Sequence, residues 1–436
     1  LKRVTVKIGS GATPVGGSEG YLPTRAGFAL VRSQNVLDRA FEREGLAFIS
    51  DQQADRLRGV ALQPGDVLLN ITGDGVTFGR ACAIPNDVLP ACVNQHVAII
   101  RVNPKLVEPG FVLAFLTHPD VKPYIEAFNA GGSRRAITKA HIESFQLPIP
   151  PLEEQRAMAS VLGALDDKID LNRRMNETLE EMARALFKSW FVDFDPVHAK
   201  AAGKKPFGMD DSTAALFPSR FSGPTPEGWD YRSLDTFLEL LTDGAHESPP
   251  SVELGRPMAS VKDLTPWGID LSSVRSISAS DFERLVSNGC NPRPGDVLLA
   301  KDGARCLETV CEYRQTADVV LLSSIAILRP RSTTLSGFVR IWLALPETRA
   351  YLREGFRSGS AIPRVVLKDL KRALLVSPSA GILDVFDRVT GGPRSQIQKN
   401  AAEIDALSAL RDALLPKLLS GELRLKDAER IVGEVT

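Results

Sequence analysis

The sequence is poor in cysteine and aromatic residues, has no excess of charge of either sign, and contains no long apolar run. Its five cysteines, Cys82, Cys92, Cys290, Cys306 and Cys311, are too few and too irregularly spaced for a secreted disulfide scaffold. No C-x-x-C occurs, which excludes a zinc ribbon and a thioredoxin-type pair. They read as reduced, buried thiols of a cytoplasmic protein. No apolar run approaches the ~18–20 residues of a membrane span, so no membrane is expected as a partner. The opening LKRVTVKIGS has no apolar stretch behind it, so no secretory signal is expected, and Leu1 in place of Met suggests a trimmed or alternative start. Lys and Arg together number 53, as do Asp and Glu. That balance excludes coating of a polyanion by bulk charge, and any contact with nucleic acid must be local.

The tools of catalysis are also missing. GSGATPVGG (9–17) has Pro14 where a dinucleotide fingerprint needs its third glycine, and Gly16-Gly17-Ser18 where a phosphate loop needs Gly-Lys-Ser/Thr. The five histidines form no H-x-x-x-H or H-E-x-x-H pair, and there is no G-x-S-x-G elbow. DFDP (193–196) only faintly echoes a methyltransferase Asp-Pro-Pro motif, because Val197 breaks it. No catalytic residue and no metal ligand is assigned.

What is present is enough apolar material for real cores: 436 residues, 43% hydrophobic and 24% charged, with about three domains at roughly 150 residues each. The chain is duplicated. GDVLL stands at 65–69 and again at 295–299, VAIIR (97–101) aligns with IAILR (325–329), and the stretch from Ile169 matches that from Ile397. A period of about 200 residues is too long for a solenoid. Each globular copy reads as mixed α and β, with strands at 67–71, 97–102, 297–300 and 319–329 and helical windows at 111–117 and 338–353.

From Glu153 to Phe191 there is no proline, and Pro150-Pro151 with Glu153 and Glu154 suits a helix start. Steps of four and three place Leu165, Ile169, Asn172, Asn176, Leu179, Ala183, Leu186 and Trp190 on one seam. The second copy supplies Ile397, Asn400, Ile404, Leu407, Arg411, Leu414 and Leu418. Asparagine on a seam fixes register at some cost in stability. Two matched seams in one chain most simply pack on each other. Met175, Met182, Phe187 and Trp190 read as packing residues. Pro416 is expected to bend or end the second helix, and Gly391-Gly392-Pro393 to separate it from a shorter one. The Pro/Gly/Lys/Ser-rich stretch between the copies reads as a linker or loosely packed loop.

The loops carry side chains suited to base edges. Copy one has RSQN (32–35), NITGDG (70–75), VNQH (93–96) and GGSRR (131–135); copy two has VKD (261–263), AKDGAR (300–305), SS (323–324) and RSGS (357–360). Arg suits guanine, Asn or Gln adenine, Asp the cytosine amino group, and Ser or Thr either base or phosphate. The candidate contacts are Ser10, Thr13, Arg32, Ser33, Asn35, Asn70, Thr72, Asn94, Gln95, His96, Arg134, Arg135 and Lys139 in copy one. In copy two they are Lys262, Lys301, Asp302, Arg305, Ser323, Ser324, Arg357, Ser358 and Arg364. Asn94 and Gln95 equally suit a buried turn, and Asp74 and Asp302 before glycine are ordinary turn residues. The functional reading gains from pairing, since both copies place polar loops at the same repeat positions with different residues.

PPLEEQ (150–155), LNRRMNETLEEMARALFKSWFVDF (171–194) and LPKLLSGEL (415–423) resemble the helical regions of type I restriction–modification specificity subunits. IGSGATPVGG, RSQNV, GDVLLNITGDG and VNQHVAIIR resemble a target-recognition domain of that family, and TPEGW (225–229) the start of the second. The resemblance implies an α+β chain: two tandem mixed α/β target-recognition domains separated by two long helices that pair as an antiparallel coiled coil. The expected boundaries are a first recognition domain at 1–151, a spacer helix at 152–195, a linker at 196–228, a second recognition domain at 229–379, a second helical region at 380–422 and a tail at 423–436. It further implies a non-catalytic subunit whose domains each read one half of a bipartite, asymmetric site in double-stranded DNA. The helices would set the gap and dock two modification subunits, which carry S-adenosylmethionine and adenine methyl transfer with base flipping. Two restriction subunits using ATP and Mg would join for cleavage. This chain itself would need no cofactor. The alternative is a protein-interaction scaffold, or an inactive recognition subunit, without DNA specificity.

Overall fold

A computed structural model describes the chain except positions 15, 74–76, 129–134, 273, 304–305 and 359–362. It divides into two compact units, Leu1–Asn172 with Glu403–Thr436, and Arg173–Ala402. Each unit therefore holds one globular copy and a stretch of both long helices.

In the first unit β1 (Thr5–Ser10), β2 (Val67–Asn70), β3 (Ala81–Ala83) and β4 (Val97–Val102) form an antiparallel sheet in the order β1-β4-β2-β3. In the second, β5 (Leu238–Asp243), β6 (Val297–Ala300), β7 (Val310–Glu312) and β8 (Ile325–Pro330) repeat it as β5-β8-β6-β7. The repeated GDVLL builds β2 and β6. Val67 and Leu69 enter one core and Leu68 another, so a strand buried on both faces shows no polar alternation. The aspartate of the motif is structural. Asp66 is fully buried and accepts from the Gln63 amide at 2.8 Å and from Arg101 at 2.7 Å twice. Asp296 does the same with Arg293 and Arg329, at 2.8, 2.9 and 2.7 Å.

A three-stranded sheet accompanies each of these. Phe28–Val31 pairs antiparallel with Ala47–Ile49 and parallel with Ala91–Val93. Arg256–Ala259 pairs likewise with Arg275–Ile277 and Val320–Leu321. The expected strand at 319–329 is thus two strands in two sheets, with 322–324 crossing between them as 94–96 do in copy one. The helical window 338–353 also divides, into Thr333–Ala344 and Pro346–Gly355, because Pro346 suits only a first helical turn.

The long helices are Leu152–Phe191 and Ala380–Ser420, 40 and 41 residues, about 60 Å each at 1.5 Å per residue. Gln155 of PPLEEQ is buried. It accepts from the Glu108 amide at 3.0 Å and donates to the Pro150 and Leu106 carbonyls at 2.8 and 3.3 Å, tying the helix start to copy one. The expectation that Gly391-Gly392-Pro393 and Pro416 interrupt the second helix does not hold. An interior proline costs about 3 kcal/mol, partly by depriving the carbonyl four residues earlier of its donor. At Pro416 that carbonyl is Asp412, and His118 Nε2 donates to it at 2.8 Å. Beside Pro393, buried Arg394 pairs with Asp387 of the same helix and, at 3.0 Å, with Glu312. Gly337 leaves room for that guanidinium, since a Cβ there would lie 2.5 Å from it.

The two helices pack together in both units. In the first, Leu165 and Ile169 share a core with Ile404, Leu407, Leu414 and Leu418. Asp166 meets Arg411 at 2.9 Å and Asn172 donates to Glu403 at 3.0 Å, so numbers rise on one helix as they fall on the other. In the second, Asn400 donates to Asn176 Oδ1 at 2.8 Å and Asn176 to the Ile397 carbonyl at 3.2 Å. Leu179 is half-buried, Leu186 packs against the second unit's main core, and Phe187, Trp190 and Phe191 lie within it with Phe386. Met175 and Met182 depart from their expected packing role: at 39% and 59% exposure they lie on the outer face.

The stretch expected to be a loose linker is packed. It forms the helices Asp195–Ala201 and Asp211–Leu216, and its Val197 and Phe217 enter the second core beside Trp229. The expected tail likewise forms a helix, Leu425–Gly433, whose Ala428 and Val432 join the first. Among the described residues no helix is long and apolar enough to cross a membrane. All five cysteines are buried and none is joined in a disulfide, and burial pushes the Cys92 thiol up to about 11 and that of Cys311 to about 12.

Candidate nucleic-acid interface

Where the chain crosses between sheets, it brings polar residues together at one corner of each copy. The crossing is tight because of a glycine. A Cβ on Gly11 would lie 1.7 Å from the Val93 carbonyl oxygen, and one on Gly244 2.1 Å from that of Leu321. Register makes the two positions equivalent: Ser10 faces Ala98 in β4, and Asp243 faces Ala326 in β8. The corner residues then correspond as Ser10 with Asp243, Thr13 with His246, Thr72 with Asp302, Gln95 with Ser323 and His96 with Ser324.

The corner of copy one is neutral. The Thr13 hydroxyl donates to Gln95 Oε1 at 2.7 Å, and Gln95 Nε2 donates to His96 Nε2 at 3.0 Å. That leaves His96 Nδ1 to donate to Thr72 Oγ1 at 2.6 Å. Asn94 Oδ1 accepts from the His96 amide at 3.0 Å, closing the turn below them. Ser10, Thr13 and Gln95 are exposed.

The corner of copy two is charged. Lys301 is buried, and its ammonium lies 3.1 Å from both Asp243 and Asp302. Exposed His246 reaches Asp243 through Nε2 at 3.0 Å. Arg364, 57% exposed, stands 4.0 Å from Asp302 Oδ1, a buried oxygen with no hydrogen-bond partner among the described residues. Ser323 and Ser324 are half-buried; Ser324 Oγ accepts from the Val261 amide at 3.2 Å, beside exposed Lys262.

Several candidates lie elsewhere. Asn35 and Asn70 are fully buried. Asn35 binds the Arg32 amide and the Glu42 carbonyl at 3.0 Å each, and Asn70 donates to the Ser33 and Val36 carbonyls at 3.0 and 3.2 Å. The expectation that Asn35, Asn70 and Lys301 reach DNA therefore gives way to burial: each side chain is engaged inside its domain. Arg32 lies half-buried over the Tyr21 ring, 5.4 Å from its centre. Lys139 is exposed and pairs along its helix with Glu143 at 3.8 Å. Arg134 and Arg305 lie outside the described residues; Arg135, Arg357 and Ser358 lie in short strands. Asp243, His246 and the two glycines escaped the sequence reading. Their signal is SGAT (10–13) against DGAH (243–246), whose offset of 233 differs from that of GDVLL.

Each copy is also fastened to the helices by a buried arginine. Arg39 reaches Asp166 at 2.5 Å and Thr117 at 2.8 Å. Arg340 reaches Glu180 at 2.6 Å with both partners buried. Burial alone would raise the Glu180 carboxyl, but Arg340 and then Arg184 outweigh it and hold it below its ordinary range.

A family model for the type I restriction modification DNA specificity domain matches residues 43–181. The specificity subunit of the type I restriction enzyme HindI of Haemophilus influenzae is 28% identical over 434 residues, covering 90% of this chain and 94% of that one. Over most of its length this chain is similar to type I restriction–modification specificity subunits. The specificity subunit of MjaIX from Methanocaldococcus jannaschii is 24% identical, over 78% of this chain and 74% of its own. That of EcoKI from Escherichia coli is 20% identical, over 95% and 86%. A solved S subunit from M. genitalium aligns with a TM-score of 0.48 at 14% identity, over 96% of this chain and 94% of that one. The matched family model describes a DNA specificity domain, and these relatives are named as specificity subunits of type I restriction enzymes.

Proposed function

We propose that each unit reads one half of a split, asymmetric site in double-stranded DNA through its polar corner. The observation that carries this is the repetition of one corner, on one strand order and around one obligatory glycine, with different polar residues in each copy. A shared frame with changed tips is what two readers of different sequences require. In copy one the exposed candidates are Ser10, Thr13 and Gln95, with Thr72 and His96 behind them; in copy two they are His246, Arg364 and Lys262, with Ser323 and Ser324. The paired helices set the gap between half-sites, since about 34–36 Å per DNA turn is comparable to their length. They also dock two modification subunits, which supply S-adenosylmethionine and transfer methyl groups to adenine, while two restriction subunits with ATP and Mg join for cleavage. The balanced net charge fits a clamp whose phosphate contacts come largely from partners. The complex acts in the cytoplasm.

The test is base-resolved adenine methylation of DNA from cells expressing this chain with its cognate modification subunit. A single split motif with a fixed gap is expected. Absence of any motif, despite a stable complex with that subunit, refutes the reading and favours a scaffold or an inactive copy.

A further inference from the structure

We infer that Arg364 reads a guanine in the half-site recognised by the second unit, and that Asp302, held by buried Lys301 and Asp243, aims it. This rests on the reading of the two corners as DNA readers. The argument starts from backbone register. The Val365 amide donates to the Lys301 carbonyl at 2.9 Å, and Asp302 bridges Arg364 across an antiparallel pair. In copy one the Ile137 amide donates to the Ile71 carbonyl at 2.8 Å, and Thr72 pairs with Ala136. Arg364 therefore occupies the position that alanine occupies in the other copy. One reader presents a guanidinium where its twin presents a methyl group.

Charge gives the next step. Lys301 lies between two carboxylates, so buried Lys301 with half-buried Asp243 and Asp302 keeps one negative charge that its own ammonium does not cancel. Among the described residues the oxygen left without a hydrogen bond is Asp302 Oδ1, and the Arg364 atom at 4.0 Å from it is Nε. With the Nε edge turned to the carboxylate, the two terminal amino groups are left for a ligand. Two parallel N–H donors match either O6 and N7 of guanine or a phosphate. The surroundings decide between them. Arg364, Lys301, Asp243 and Asp302 sum to zero, and a carboxylate beside the fork repels phosphate while tolerating a neutral base edge.

The test uses the full chain with its modification subunit and the split methylation motif as readout. Arg364→Ala is expected to make one guanine position of one half-site degenerate, with preference there falling roughly ten- to hundredfold, while the other half-site and the gap stay unchanged. Arg364→Lys keeps the charge, loses the fork and should produce the same degeneracy, so a folding defect of the alanine variant does not decide the matter. Asp302→Asn should weaken the same position without a general loss of methylation. A motif unchanged at every guanine in both Arg364 variants overturns the inference and leaves the two-reader model standing. Uniform weakening at all sites in Arg364→Ala, rescued by Arg364→Lys, assigns the residue to phosphate and also overturns it. A wild-type complex that leaves no split motif removes the two-reader model and this inference together.

Discussion

The two recognition copies share strand order, crossover and buried Asp–Arg anchor, yet their corners differ in kind. In copy one a chain of neutral hydrogen bonds runs from Thr13 through Gln95 and His96 to Thr72. In copy two ion pairs join Asp243, Lys301 and Asp302, with His246 and Arg364 at the rim. The frame is apolar and buried, so it tolerates little change; the corner stands where the chain leaves one sheet for another and faces outward. What the difference teaches is that the scaffold and the reading chemistry are separable. The Gly at the crossover and the Asp of GDVLL hold the shape, and the tips vary without disturbing it.

That separation can be broken or sharpened by substitution. The largest effect is expected at the fastenings to the helices. Arg340→Met leaves Glu180 buried with only half-exposed Arg184 nearby, and should cost about 3–5 kcal/mol of second-unit stability in denaturant unfolding. Arg39→Met should cost less, because Asp166 keeps Arg411 at 2.9 Å. Equal losses would show that the two attachments are equivalent. Next come the crossover glycines: Gly11→Ala and Gly244→Ala should each cost about 3 kcal/mol by overpacking. Each should also abolish preference within one half-site only. Loss of both half-sites from a single substitution would contradict separate readers.

At the seam, Asn176→Leu leaves the Asn400 amide unsatisfied and should cost about 1–3 kcal/mol, whereas Asn176→Leu with Asn400→Leu should be nearly neutral. A double variant as unstable as the single one would show that the pair is not the relevant partner set. The corner itself should matter least to folding. Gln95→Ala is expected to leave the melting temperature within about a degree while lowering base preference in one half-site roughly tenfold, measured by methylation motif. Acid sharpens the same contrast. Glu180 titrates lower folded than unfolded, so its stabilisation is complete above its ordinary 4.5 and is lost as pH falls through the lower folded value. Unfolding of the second unit followed from pH 6 downward should show that loss, and Arg340→Met should flatten it.

Much of this was legible in the residues. The duplication, the two heptad-like seams and the interacting asparagines follow from spacing, because helix periodicity and repeat offset survive in a linear string. The corner was legible only in part. Thr13, Thr72, Gln95 and His96 were named, and they do meet. Asp243 and His246 were missed because an insertion shifts their offset. Asn35, Asn70 and Lys301 were indistinguishable from surface readers, since nothing local marks a polar side chain as buried. The prolines misled for a related reason: Pro416 breaks a helix only where its orphaned carbonyl finds no donor, and that donor, His118, lies 298 positions away.

By itself the sequence determined the number of copies and the kind of elements in each, because composition, periodicity and repetition act over neighbouring residues. Tertiary structure decided which polar groups face out, which stretches of helix complete which unit, and that Arg364 stands where the other copy has Ala136. Those are questions of burial and register, and they are settled only when strands far apart in the chain lie side by side.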